Sequence, residues 1–304
     1  MAWYTTLDEM IRDYLPDLKW LHDEPLSRHT SFRIGGPARR MALPSSCEQI
    51  VILMGLLEQQ GVRAVLLGNG TNLLVCDEGL DAVVIKTGEL LSSIEQTGET
   101  ELTADAGVSL SRLATFAWKQ GLTGLEFAHG IPGSLGGGVV MNAGAYGGSL
   151  SDVLTEVTAL YPDGVRTLRA DELELSYRHS IFSEQTEAVV LRAKVKLAHG
   201  DSAAIKARMD ELMQKRKASQ PLEWPSAGST FKRPAGNFAG TLIEKSGLKG
   251  TRVGGAEVSR KHAGFVINTG DATCADVLAL IGQVQQTVLR DSGIALEPEV
   301  KIIR

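Results

Sequence analysis

The sequence predicts an α+β protein built from two domains, and three observations carry that expectation. Helix and strand signals alternate along the chain without the regular strand–helix–strand beat of a doubly wound parallel sheet. The run LTEVTALYPDGVRTLR sets two strand-like stretches around a Pro162-Asp163-Gly164 turn, so at least one antiparallel hairpin is expected. A length of 304 residues is too great for one small module and, at about 150 residues per domain, suggests two domains or three.

The elements come in order. Ser45 and Ser46 precede CEQIVILMGLLEQQ, which stops at Gly61, and Ser109 precedes LSRLATFAWKQ, which stops at Gly121. A serine hydroxyl accepts from the free N–H groups of a first turn, and glycine takes the left-handed conformation that closes a helix, so both stretches read as helices. Asp201 opens an amphipathic stretch ending in Lys215, Arg216 and Lys217, cations suited to a helix C-terminus. A last helix is expected from about Thr273 to Asp291, ending at Gly293. Strand-like runs lie between: VRAVLLG, DAVVIKT, the hairpin, AVVLRAKVKL, HAGFVINTG and EPEVKII. The seam falls at roughly 198 to 226, where QPLEWPSAG links the two domains, giving an N-terminal domain over residues 1–200 and a C-terminal domain over residues 201–304. No internal repeat or low-complexity tract is present.

Composition narrows the partners. Lys and Arg number 31 against 36 Asp and Glu, a net charge of −5, so no global positive field gathers nucleic acid or an anionic membrane surface. Any anion must be held locally. Cys47, Cys76 and Cys274 are odd in number and far apart, with no C-x-x-C pair, so neither a disulfide framework nor a cysteine metal site is expected. The acidic start MAWYTTLDEM does not resemble a secretory leader, and the longest apolar run, 50 to 57, is far below the roughly 20 residues of a membrane span, so a cytoplasmic protein is expected. Glycine is the anomaly: 33 of 304 is about 11%, against an average of about 7%. Ten of the 33 fall between Gly121 and Gly148 and nine between Gly228 and Gly270.

Two glycine-bearing segments are candidates for ligand contact. In LLGNGTNLLV, Gly68-Asn69-Gly70-Thr71-Asn72 lies between apolar runs, and consecutive N–H groups there could line an anion nest. The segment is not a dinucleotide fingerprint, because Leu73 replaces the third glycine, nor a P-loop, because the Gly-Lys-Ser/Thr ending is missing. Taken alone, it reads as a hairpin turn. The segment GLEFAHGIPGSLGGGVVMNAGAYGG, 124 to 148, carries Gly130, Gly133, Gly136, Gly137 and Gly138 with Pro132 and Ser134, then Asn142 and Gly144. So much lost chain entropy without side-chain packing points to a flat or charged ligand pressed against bare backbone, more than to a flexible linker. Arg178, Ser229, Glu297 and Glu299 each have a bland reading on a solvated loop, a turn or the wet face of a strand. Alternation places Glu297, Glu299 and Lys301 on one side of a strand, and spacing does not choose between the glutamates. Six scattered histidines and the lack of a G-x-S-x-G elbow exclude zinc-hydrolase and α/β-hydrolase readings; no metal is expected.

The ordered set HTSFRIGGPA (29 to 38), LGNGTNLLV, GIPGSLGGGVVMNAGAYG, YRHSIF (177 to 182), SAGSTFKRPAG (226 to 236), AGTLIEKSGLKG, GGAEVSRKHAGFVIN and LEPEV resembles the UDP-N-acetylenolpyruvoylglucosamine reductase (MurB) family from about residue 25 to the C-terminus. The resemblance implies an FAD-binding domain of the p-cresol methylhydroxylase/vanillyl-alcohol oxidase type in two α+β subdomains, about 1–87 and 88–200, followed by an α+β substrate-binding domain. It implies non-covalent FAD, NADPH as co-substrate, and reduction of UDP-N-acetylglucosamine enolpyruvate to UDP-N-acetylmuramate in peptidoglycan synthesis. The short path from Arg178 to the QPLE segment resembles the family's shorter class, which lacks a tyrosine-bearing loop.

By that resemblance, Gly68, Asn69, Gly70, Thr71, Asn72, Gly130, Ile131, Pro132, Gly133, Ser134, Gly136, Gly137, Asn142 and Gly144 hold FAD. Hydride passes from flavin N5 to the enolpyruvyl group, Arg178 and Glu299 stabilise the resulting enolate, and Ser229 protonates it. Glu299 acts there only if protonated, which requires burial to raise its pKa. Tyr177, Arg178, Lys232 and Lys245 are the residues assigned to the substrate, and a monomer is expected. The other readings kept open are an FAD oxidase sharing only the flavin fold and a non-catalytic flavin or sugar-nucleotide binder.

Overall fold

The computed structural model describes residues 3–88, 90–185 and 187–304. Seven α-helices lie among them: α1 (Trp3–Tyr14), α2 (Cys47–Gln59), α3 (Leu110–Lys119), α4 (Leu135–Val140), α5 (Ser202–Ser219), α6 (Ala239–Lys245) and α7 (Cys274–Ser292). The expected caps are in place. Ser46 and Ser109 accept from the N–H groups of Gln49 and Arg112, each at 3.2 Å, and Gly61 and Gly121 take positive φ just beyond α2 and α3. Asp201 accepts from Ala204 N at 2.8 Å ahead of α5. Thr273 and Asp276 form a reciprocal capping box at the start of α7, which Gly293 closes at φ 70°. Short α4 inside the glycine cluster, together with α1 and α6, is not among the helices expected from the sequence.

The chain packs as two compact units that are not contiguous in sequence. The first comprises residues 1–21, 40–69 and 82–216, the second 22–39, 70–81 and 217–304. This partition differs from a cut at 200/201, because Ile205 and Met209 on α5 join the first unit's core, while two early segments belong with the C-terminal residues. The unit boundary at 216/217 still falls inside the expected seam.

A four-stranded sheet has the order Lys19–Pro25, Pro37–Leu43, Leu80–Lys86, Ala64–Leu67. Its last pair is parallel, with Ala64 opposite Val83. In the first unit, Leu7 and Ile11 of α1 and Leu53, Leu56 and Leu57 of α2 pack with Val83 and Ile85. The unit also holds an antiparallel sheet ordered Gly164–Arg169, Leu154–Tyr161, Val189–Lys196, Glu101–Asp105, Ile94–Gln96. The expected hairpin is its edge, with Tyr161 opposite Gly164. This sheet, α3, α4 and α5 bury the largest cluster, around Leu102, Leu113, Leu135, Val157 and Val195.

In the second unit, the strands Arg252–Val253, Ala256–Val258 and Val266–Asn268 form a small antiparallel sheet. Val277, Leu280, Ile281 and Val284 of α7 share one core with Leu242, Ile243, Val258, Val266, Phe32 and Leu74. Two sequence readings are corrected. EPEVKII is not one continuous strand: Pro298 makes an isolated antiparallel bridge to Phe231, and Lys301–Ile303 pairs in parallel with Leu73–Val75. LLGNGTNLLV is not a hairpin, because its flanking strands belong to different sheets. None of the helices among the described residues is long and apolar enough to cross a membrane.

Candidate functional site

In the first unit the chain approaches itself within the glycine-rich sequence. Asn69 Nδ2 donates to Pro132 O at 2.8 Å, and a Cβ on Gly68 would lie 2.3 Å from Ser134 Oγ. The loop after Ala64–Leu67 is therefore seated on Pro132–Ser134, and a Cβ at 68 would force the Ser134 hydroxyl to shift. Ser134 is buried and caps α4 through Gly137 N. Among the described residues, none of the N–H groups of Gly68, Asn69, Gly133 and Ser134 donates within the protein. Four backbone donors on two touching loops have the chemistry to receive an anion.

The glycines of α4 divide into two kinds. A Cβ on Gly136 would meet Ala106 Cβ at 2.9 Å, and one on Gly138 would meet Leu150 Cδ1 at 3.0 Å. These two let the helix close onto the core, so the expectation that the glycines offer no packing is corrected for them. Gly137 is exposed and would carry a Cβ without a backbone clash. Ile131 packs on the same core.

Asn142, at φ 39°, spends its side chain on the protein: Nδ2 donates to Ser176 O at 2.9 Å, and Oδ1 accepts from Ser151 N at 3.0 Å. It braces the turn that carries Arg178. That turn is a two-residue reversal in which Ser176 and His179 exchange both backbone hydrogen bonds at 3.2 Å. Arg178 takes φ 57°, its Nη1 donates to Gly144 O at 3.3 Å, and its guanidinium lies 5.3 Å from the ring centre of exposed Tyr177. A left-handed conformation in a residue other than glycine costs of order 1–3 kcal/mol and persists only where surrounding contacts hold it.

Arg216 is a cation that sequence reasoning missed. It sits on the last turns of α5, donates through Nη1 to Gly130 O, and leaves a buried Nε without a partner among the described residues. Burial pushes its guanidinium below the ordinary arginine value, partly countered by Tyr146 and joined by repulsion from Arg178. Its only sequence signal, a basic helix end, pointed to the helix dipole.

In the second unit the other end of the nest loop meets the C-terminal motifs. Gly70 has φ 63°, and a Cβ there would lie 2.2 Å from His29 O, so glycine is required. Its carbonyl accepts from Ser31 N at 3.1 Å, and Ser31 Oγ donates to Ser226 O at 2.6 Å. The N–H groups of Gly70, Thr71 and Asn72 likewise have no acceptor among the described residues. Glu299 N donates to Thr230 O at 2.8 Å, Lys232 N to Glu297 O at 2.8 Å, and Asn72 Nδ2 to Glu299 O at 3.1 Å. A ladder of backbone bonds thus places the Ser229 segment alongside the Glu299 segment. Ser229 follows Gly228 at φ 74°, and its hydroxyl bonds to no described residue. Lys232 Nζ is held by the Glu297 carboxylate. Lys245 is exposed at the end of α6, and no contact joins it to Ser229, Lys232 or Glu299 among the described residues. No cluster of metal-ligating side chains occurs among the described residues.

Comparison with known proteins gives these segments a common setting. Residues 38–169 match the model of an FAD binding domain, which together with the backbone donors defines a flavin-binding protein with a second α+β domain. Residues 220–303 match the C-terminal domain of UDP-N-acetylenolpyruvoylglucosamine reductase. The chain is 48% identical over 298 residues to the reductase of that name from Caldanaerobacter subterraneus subsp. tengcongensis, covering 98% of each chain. It is 49% identical over 310 residues to that from Agathobacter rectalis, again covering 98% of each. The crystal structure of the Thermus caldophilus reductase (MurB) superposes with a TM-score of 0.79 at 33% identity, covering 94% of this chain and 99% of that one. The chain belongs to the UDP-N-acetylenolpyruvoylglucosamine reductase family.

Proposed function

We propose that the chain reduces UDP-N-acetylglucosamine enolpyruvate to UDP-N-acetylmuramate with NADPH, through bound FAD, in peptidoglycan precursor synthesis. The observation that supports this reading is the pair of backbone bonds that join Thr230 and Lys232 to Glu299 and Glu297, since the two segments carry the residues that the family pattern assigns as proton donor and acid. The backbone donors fit the cofactor: Gly68, Asn69, Gly133 and Ser134 in the first unit, and Gly70, Thr71 and Asn72 in the second, offer N–H groups that suit a diphosphate in a chain of net charge −5. When bound, FAD supplies the hydride, drawn from NADPH and delivered to the enolpyruvyl methylene carbon.

The chain's own residues handle the charge and the proton. Arg178 binds the substrate carboxylate through its fork and stabilises the second negative charge that develops beside it. Ser229, whose hydroxyl has no partner among the described residues, donates the proton to the α-carbon. Glu299, half-buried with its backbone N–H on Thr230 O and its carbonyl on Asn72 Nδ2, is assigned to donate a hydrogen bond to the enol oxygen when it carries a proton. Hydride and proton together saturate the double bond. Lys232 and Lys245 are assigned to the substrate, Lys232 on condition that it exchanges Glu297 for the ligand. The protein works as a cytoplasmic monomer, without a nucleic-acid or membrane partner.

The test is colour. The purified protein is expected to be yellow, to bleach with NADPH in the absence of oxygen, and to recolour when the enolpyruvyl sugar nucleotide is added. A colourless protein, or one that oxygen recolours rapidly and the sugar nucleotide does not, contradicts the reading.

A further inference from the structure

Both ring nitrogens of His179 face acceptors. Nδ1 lies 3.0 Å from Glu174 O, and Nε2 lies 3.0 Å from Glu184 Oε1. A carbonyl accepts only, and so does an ionised carboxylate, so both contacts are hydrogen bonds only when the ring carries two protons. The two partners flank the reversal that carries Arg178: Glu174 precedes it at φ 50°, and Glu184 closes the short helical turn Ile181–Ser183. Ser180, between them, is tied to Val140 O at 2.9 Å, and Ile181 N to Leu173 O at 3.0 Å. The imidazolium is therefore a clasp across a segment holding two left-handed residues, one of them Arg178.

We infer that His179 is a positioning residue, whose doubly protonated ring holds the Ser176–His179 reversal and thereby aims the Arg178 guanidinium at the substrate carboxylate. The inference rests on the proposed role of Arg178. The roles implied for Arg178, Ser229 and Glu299 leave His179 without one, and its ring bonds to neither Gly144 nor the backbone donors of the nest. The charged groups facing the ring are the Glu184 carboxylate, from beyond Ile181–Ser183, and Glu174, from ahead of the reversal; both are acidic, and both hold the imidazolium above its ordinary pKa. The doubly donating form is present below the raised value and lost as pH rises through it, so the aim of Arg178 slackens on the alkaline side.

The experiment uses the oxidised holoenzyme and three readouts. Ring NMR of His179 gives its pKa, flavin absorbance gives the dissociation constant of the enolpyruvyl sugar nucleotide across a pH range of about 6 to 9, and anaerobic mixing with NADPH gives the bleaching rate. The expected His179 pKa lies above about 6.5. Substrate binding by the wild type weakens about tenfold with the same midpoint, as expected when a positioning contact is lost. His179→Gln binds weakly at every pH, with a flat profile. Glu184→Gln, which keeps the ring, moves the NMR midpoint and the binding midpoint down together. Bleaching by NADPH is unchanged in both. A binding profile identical in wild type and His179→Gln overturns the inference, as does a His179 pKa at or below the ordinary value. A melting-temperature loss without a change in the pH profile shows a merely structural role and also overturns it. Absence of any flavin perturbation by the sugar nucleotide in the wild type, with bleaching intact, overturns the parent reading instead and removes the inference with it.

Discussion

At the scale of single residues, the proposed chemistry turns on which side chains are committed to the protein and which are free. Ser229 has no partner among the described residues, whereas Asn142 and Lys232 are engaged. Ser229→Ala is expected to leave NADPH bleaching intact and to slow recolouring by substrate by about 10²- to 10⁴-fold, the range typical of a lost general acid; rapid mixing of the two half-reactions separates the two effects. Gly70→Ala forces a left-handed Cβ against His29 O and is expected to destabilise the fold by about 1–3 kcal/mol and to loosen FAD, measured by urea unfolding and flavin release. Little of this was legible in the sequence. Gly68 and Gly136 look alike in a string of letters, but one is pressed by Ser134 Oγ of a neighbouring loop and the other by Ala106 of the core. Local sequence does not contain those distant partners.

At the scale of elements, what was legible comes from local chemistry. The Ser46, Ser109 and Thr273 caps and the Gly61, Gly121 and Gly293 stops act within one turn of the residues they serve, so the ends of α2, α3 and α7 could be read directly. Helix α4 could not, because its LGGGVV run, half of it glycine, argues against a helix by propensity. Its Ser134 cap and its close packing on Ala106 and Leu110 override that preference. The EPEV segment differs for the complementary reason: alternation suggested one strand from Glu297, yet Pro298 makes an isolated antiparallel bridge to Phe231, and Lys301–Ile303 pairs in parallel with Leu73–Val75, partners that both come from distant stretches of the chain. The capping box of α7 carries a pH prediction. Bonds from the Thr273 backbone and hydroxyl hold the Asp276 carboxyl below its ordinary pKa. Its contribution to stability is present above the unfolded value of about 3.9 and is lost as pH falls through the lower folded value. Melting temperatures measured from about pH 6 down to about pH 3 should therefore fall less steeply in Asp276→Asn than in the wild type.

At the scale of the whole molecule, the two packing units are interleaved in sequence, and the chain passes from the first to the second between Asn69 and Gly70. Because FAD is proposed to bind the folded protein alone, stripping it should lower stability by mass action, about 2.7 kcal/mol for free cofactor at about 100 times its dissociation constant. Calorimetry of holoenzyme and stripped protein, with FAD added back, checks this; equal melting temperatures would contradict the assignment.

The most direct measurement of the proposed reaction is anaerobic stopped-flow of the two half-reactions, using NADPH and then the authentic enolpyruvyl sugar nucleotide, in wild type and Ser229→Ala. Fast bleaching is predicted in both proteins, with fast recolouring in the wild type and recolouring slowed by at least about 100-fold in the variant. Equal loss of both half-reactions, or recolouring in the variant at the wild-type rate, would contradict the assignment of Ser229 as the proton donor.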